Sequence, residues 1–149
     1  MACHGHALGH DHDCIILTDS GWEKGPDLIQ LREHSSSVVT SQGFLITGGG
    51  NEDDQDTTEV VSRTGSRSSF KLSSKMYNHY MIKTSDSSAV LTGGSNTLSQ
   101  VLEYSGLDGP DAGVTSTALP NLNFPRKNHG CGAYQHNGTL VGSSVVPYT

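Results

Sequence analysis

A short aliphatic run closed by consecutive glycines occurs twice in this chain, as GFLITGGG (residues 43–50) and AVLTGGS (residues 89–95). An apolar stretch this short is a poor helix and suits a strand buried on both faces. Glycines directly after such a strand mark a backbone that approaches another backbone closely, or takes φ values at which a Cβ clashes. Two copies of the device in 149 residues make internal periodicity the first question to settle.

Aligned on histidine, LREHSSSVVTSQGFLITGGG contributes His34, MYNHYMIKTSDSSAVLTGGS contributes His79 and FPRKNHGCGAYQHNGTLVGSS contributes His129, with separations of 45 and 50 residues. Fourteen residues beyond each lies Gly48, Gly93 or Ser143, preceded by Leu45-Ile46, Val90-Leu91 or Leu140-Val141. Each unit reads as a hairpin. SSVVT and FLIT flank residues 41–43, YMIKT and AVLTG flank residues 85–88, and GAYQ and TLVGS flank His136-Asn137-Gly138. Asn-Gly between β-rich runs is a strong two-residue turn signal. A third strand is expected in TTEVVSR (57–63) and SQVLEYS (99–105), and a weaker outer strand near residues 70–72 and 114–117. Four antiparallel strands in such a period is the size of a propeller blade. Composition agrees: 18 glycines with only 6% aromatic residues favour many short strands over a thick helical core.

These units resemble the kelch repeat, the blade of kelch β-propellers. The resemblance rests on the aliphatic pair before Gly48-Gly49 and Gly93-Gly94, on Glu59 and Glu103 about ten residues further, and on the lead-in ALPNLNFPRKNH (118–129). It implies an all-β fold of four-stranded antiparallel blades. The segments are a His-rich tail (1–13), a blade end (14–27), two blades (28–73 and 74–118) and a partial blade (119–149). It further implies that Arg32, Arg126, Glu59, Glu103, His34, His79 and His129 tie blade to blade through buried hydrogen bonds, ahead of any role toward a ligand, since buried polar groups need partners. The glycines are expected where inner strands crowd toward a common axis. The pattern departs from the family where the outer-strand Trp is present only as Trp22, and where Ser143-Ser144 stands in for the third glycine pair.

About three blades' worth of strands is fewer than the usual four to eight, and leaves open apolar flanks. Two arrangements resolve this. The chain is a segment of a larger propeller, or the outer strands at its N-terminus pair with the inner strands at the C-terminus of another copy, so that a homodimer has about six blades.

The net charge of −6 argues against a nucleic-acid partner, and no apolar run approaches membrane-spanning length. MACHGHALGHDHDC lacks a hydrophobic signal core, so a cytoplasmic location is expected, or secretion if a leader precedes it. Three cysteines (Cys3, Cys14, Cys131) make a poor disulfide framework; three thiols are expected, with a Cys3–Cys14 bridge as the alternative.

Cys3, His4, His6, His10, His12 and Cys14, interleaved with Asp11 and Asp13, form a candidate zinc or copper set; the competing reading is a solvated tail. NEDDQD (51–56) lacks the spacing of a calcium loop, and NGT (137–139) is a glycosylation pattern already explained as a turn. No nucleophile elbow, phosphate loop or His-Glu-x-x-His motif occurs. The kelch resemblance implies a non-catalytic module for protein binding or scaffolding, without cofactor, using loops such as 51–56 and 106–113. The alternatives are a propeller enzyme of the oxidase or sugar-epimerase type, or a metal-binding protein acting through the His-rich tail.

Overall fold

The computed structural model describes residues 2–3, 12–50, 53, 55–136 and 139–145. Among them the chain is all-β, with no α-helix and with antiparallel pairing throughout. Four sheets follow one another along the sequence. The first joins β1 (Ala2–Cys3), β2 (Cys14–Thr18) and β3 (Gly21–Lys24). The second runs β4 (Ser36–Thr40), β5 (Gly43–Thr47), β6 (Thr58–Ser62), β7 (Gly65–Ser68). The third runs β8 (Tyr80–Lys83), β9 (Ser88–Thr92), β10 (Val101–Ser105), β11 (Thr115–Leu119). The fourth pairs β12 (Gly130–His136) with β13 (Thr139–Val145). Strand order equals chain order in every sheet, the simplest solution for strands joined by short turns. No sheet closes into a barrel, and the arrangement is that of partial propeller blades.

The second strand of each complete sheet is the apolar run ending in glycine, and its burial explains its composition. Leu45, Ile46 and Thr47 on β5 are all buried, so both faces are covered. Val38, Leu45 and Val60 on one side meet Met81, Leu91 and Leu102 from the next sheet in the main core. On the other side Ile46 and Val61 pack with Cys14 and Leu28. Successive first strands lie side by side, β8 against β4 and β12 against β8, so the sheets stack face to face around their innermost strands.

Two expectations change. The outer strand of the second sheet is the polar Gly65–Ser68 and not residues 70–72. Phe70 and Leu72 are apolar because they fold back into the core, Phe70 against Tyr104 with ring centroids 5.4 Å apart, while the strand itself lies at a solvated rim. The three-thiol expectation also fails. Pairing of β1 with β2 sets Cys3 directly opposite Cys14, Cα atoms 4.0 Å apart, and they form a disulfide; Cys131 is a free thiol. Asn137 and Gly138 lie outside the described residues, although His136 pairs with Thr139 across them.

Candidate functional site

The chemistry-bearing side chains gather along the seams between consecutive sheets. Among the described residues three other than glycine adopt positive φ: His34 (58°), Asn78 (57°) and Asn128 (51°). They stand at equivalent places, two residues ahead of the first strand of the second, third and fourth sheets. The Asn78 N–H donates to the His34 carbonyl at 2.9 Å and the Asn128 N–H to the Asn78 carbonyl at 3.0 Å. This ladder shows that His34 does not share the position of His79 and His129. It aligns with Asn78 and Asn128, and is exposed; Ser35 occupies the histidine position. The offset escapes the sequence because the turn between β8 and β9 holds three residues after the Thr84–Ser88 pair, one more than the Ser41-Gln42 turn. The extra residue restores the count of fourteen for His79; in the fourth sheet the count is coincidental, because Ser143 and Ser144 pair with Gly132 and Cys131 inside β13 and do not stand where Gly48 and Gly49 stand.

His79 and His129 do share a site. Each imidazole Nε2 lies 2.9 Å from a threonine hydroxyl of the preceding sheet, His79 from Thr47 and His129 from Thr92. The Thr47 hydroxyl donates to the Ser36 carbonyl at 3.2 Å, which leaves His79 Nε2–H as the donor and Nδ1 as the bare nitrogen. Nδ1 of both histidines is buried without a partner among the described residues. Burial, reinforced by the nearby His129, lowers His79 from 6.5 to about 4. Burial, with the Arg126 charge, lowers His129. Both rings are neutral at physiological pH, and burial likewise raises the Cys131 thiol beside Thr92.

Gly48 and Gly93 lie directly over these rings. A Cβ on Gly48 would collide with the Met76 carbonyl and sit 2.9 Å from His79 Cε1; on Gly93 it would sit 2.5 Å from the Arg126 carbonyl and 2.7 Å from His129 Cε1. Both glycines have positive φ, 57° and 63°. Gly49 and Gly94 donate across the same seams, to the carbonyls of Met76 (2.9 Å) and Arg126 (3.1 Å). The crowding therefore occurs where one sheet meets the lead-in of the next.

Arg32 and Glu59 form a buried ion pair, Nε to Oε1 at 2.6 Å, with side chains 0% and 1% exposed. Glu59 also accepts from the N–H groups of Ile29 (2.7 Å) and Gln30 (3.2 Å), and Arg32 donates to the carbonyl of Gly48 (2.8 Å). Every face of the pair is thereby hydrogen-bonded, as a buried charge requires. Glu103 does not repeat Glu59. The register pairs Glu59 with Ile46 but Glu103 with Val90; Leu91 holds in the third sheet the position of Ile46 in the second, and the residue opposite Leu91 is Leu102. The connection from β9 to β10 is two residues shorter than that from β5 to β6, and a one-residue slip in a strand moves a side chain to the other face. Met76 stands where Arg32 stands, so the third sheet carries Met76 and Leu102, both buried in the main core, in place of the ion pair. Arg126 holds the same lead-in position ahead of the fourth sheet, partly exposed, its Nε donating to the Phe124 carbonyl.

Of the N-terminal set, Cys3 and Cys14 are bonded to each other, so neither offers a thiolate while the bond persists. His12 is exposed, and His4, His6 and His10 lie outside the described residues. No group of three His, Cys, Asp or Glu side chains converges among the described residues.

The loop of residues 106–113 is clasped to the neighbouring sheet. Gln42 Nε2 donates to the Gly109 carbonyl, Arg67 pairs with Asp111 at 2.6 Å, and Ser69 donates to Asp111 at 2.8 Å. Burial pushes the Asp111 carboxyl up, but its hydrogen bonds from Arg67 and Ser69 and the Arg67 charge outweigh this and hold it below its ordinary value. Leu107 anchors the loop in the core while Asp108 is exposed. Of loop 51–56, Asn51, Glu52 and Asp54 lie outside the described residues; Asp56 pairs with Lys71 at 3.0 Å. Residue patterns missed both the Thr–His bonds and this clasp. The first had a visible signal, since Thr47 and Thr92 each precede their glycine pair directly; the second had none. No protein-family model and no curated protein matches the chain.

Proposed function

We propose that the chain is a kelch-like propeller segment acting as a non-catalytic binding or scaffolding module, which engages a protein partner through the loops that join its strands. The observation that carries this reading is the state of its chemically capable side chains. Arg32 and Glu59 satisfy each other in the interior, and His79 and His129 are buried, neutral and bonded to Thr47 and Thr92. Groups committed to seams hold sheets together; they are not placed to meet a substrate. Among the described residues the loops that join the strands are accessible on a rigid frame, the usual place for recognition. The loop of residues 106–113 fits this role because its clasp to Gln42, Arg67 and Ser69 pre-organises its exposed tip, which lowers the entropic cost of binding.

The test is crosslinking of the full chain in extract from its source, followed by mass spectrometry, with Asp108→Arg as the comparison. One partner is expected, crosslinked at residues 106–113 and lost with the charge reversal. Turnover of a small molecule from a hydrolase, oxidase and epimerase panel that disappears in His79→Gln would overturn the reading in favour of an enzyme.

A further inference from the structure

The two end sheets are complementary, and the complete sheets between them state how they fit. In both complete sheets the second strand pairs on its outer side with the third. Among the described residues the fourth sheet holds a first and second strand, β12 and β13, and no strand lies beside the outer edge of β13. The first sheet holds a third and fourth strand, β2 and β3: the Thr18–Gly21 pair matches Ser62–Gly65, and the Gly25 N–H bond to the Cys14 carbonyl matches that of Ser69 to Thr58. Among the described residues only the two of β1 pair with the second-strand side of β2, opposite Cys14 and Ile15, and none pairs with the edge at Ile16–Thr18.

The face of β2 is unfinished as well. Ile15 and Leu17 occupy the positions that Glu59 and Val61 hold on β6. Glu59 and Val61 are 1% and 0% exposed, whereas Ile15 and Leu17 are 43% and 58% exposed and Trp22, paired with Leu17, is 60% exposed. An apolar row of this kind on an open strand edge is what a sheet presents when its neighbour is missing.

We propose that β13 of a second copy of this chain adds to the open edge of β2, completing a four-stranded sheet from two molecules, and that the same joint made reciprocally closes a ring of two chains. The inference rests on the blade reading above. The register follows from β5 and β6, where Thr47 faces Thr58. By equivalence Val145 of one copy faces Cys14 of the other, and Gly142 faces Leu17. The Gly25–Cys14 bond directs the peptide groups of Cys14, Ile16 and Thr18 toward β3, so those of Ile15 and Leu17 point to the incoming strand. The third sheet of the first copy then covers Ile15, Leu17 and Trp22 of the second, as the second sheet covers its neighbour within one chain. Two copies of residues 1–149, each with two complete sheets and half of two joints, supply six blades, within the usual range.

Strand β1 holds the Cys14 edge that Val145 requires, so it must leave. A dithiol reductant releases it by exchange: the Cys3–Cys14 bond accepts two electrons and two protons to give two thiols, and the dithiol becomes a cyclic disulfide. The test is sedimentation equilibrium of the full chain in dithiothreitol, with circular dichroism to follow folding. The expected mass is twice the 15.8 kDa of one chain. Leu17→Pro removes a peptide N–H that only the incoming strand would use, and Leu17→Lys sets a charge on the exposed row. Both should return a folded monomer. A folded wild-type monomer in reductant, or a dimer indifferent to both variants, overturns the joint. The blade reading fails separately, if the seam contacts of Gly48 with His79 and Gly93 with His129 are absent; a folded monomer that keeps them removes the joint alone.

Discussion

Lowering the pH from 7.5 to 5 should weaken this fold by an amount that His79 makes measurable. Its imidazole is buried, has one bonded nitrogen and one bare nitrogen, and titrates near 4 when the chain is folded, against 6.5 when unfolded. The folded value is the lower one, so the unfolded chain binds the proton more readily and stability falls as pH drops through 6.5, levelling off below about 4. Each unit of depression is worth about 1.4 kcal/mol, so the loss from His79 alone is about 2 kcal/mol at pH 5 and about 3 kcal/mol at its limit. Against a domain stability of about 5–15 kcal/mol, a loss of that size moves a denaturation midpoint clearly. The assay is urea unfolding of wild type and His79→Gln at pH 7.5 and pH 5. Gln keeps a donor for Thr47 but does not titrate. His129, lowered in the same direction, remains in both proteins, so the difference between their pH dependences isolates His79. Wild type should lose about 2 kcal/mol more than the variant over this range. Equal losses would refute the claim that the ring is held neutral in the seam.

The ion pair of Arg32 and Glu59 should behave as a unit. Glu59→Leu alone strands a buried guanidinium and should cost about 3–5 kcal/mol, whereas Arg32→Met with Glu59→Leu, which copies Met76 and Leu102 of the next sheet, should recover most of it in a double-mutant cycle of denaturant midpoints. Gly48→Ala adds a left-handed penalty of about 1–2 kcal/mol to a clash with the Met76 carbonyl, for a total of about 3 kcal/mol, whereas Gly113→Ala meets nothing within 4 Å and should shift the melting temperature little. Asp111→Asn should loosen the loop of residues 106–113 and raise amide hydrogen exchange there, leaving exchange in β9 and β10 unchanged.

The strands were legible where burial and hydrogen bonding make the same demand on sequence. FLIT and AVLT must be apolar on both faces and end in glycine, so their pattern is redundant and survives one-residue errors. Outer strands were less legible because GSRS at a solvated rim carries no apolar signature, while Phe70 imitates one. Turn and loop lengths hid the register. One extra turn residue between β8 and β9 disguised His34 as the partner of His79, and a shorter connection before β10 disguised Glu103 as the partner of Glu59. Such slips are invisible to spacing alone but invert the face a strand residue occupies. The Cys3–Cys14 bond was masked by an odd cysteine count, which says nothing about which two of the three sit on facing strands.

The central claim is that the two glycine pairs are one device, set where each sheet meets the lead-in of the next. Nuclear Overhauser contacts test it directly: Gly48 Hα to His79 Hε1 and Gly93 Hα to His129 Hε1, measured on the folded chain. Both cross-peaks should be strong, since a Cβ at either glycine would lie within 3 Å of the ring carbon. A folded chain showing one contact without the other, or neither, contradicts the shared seam.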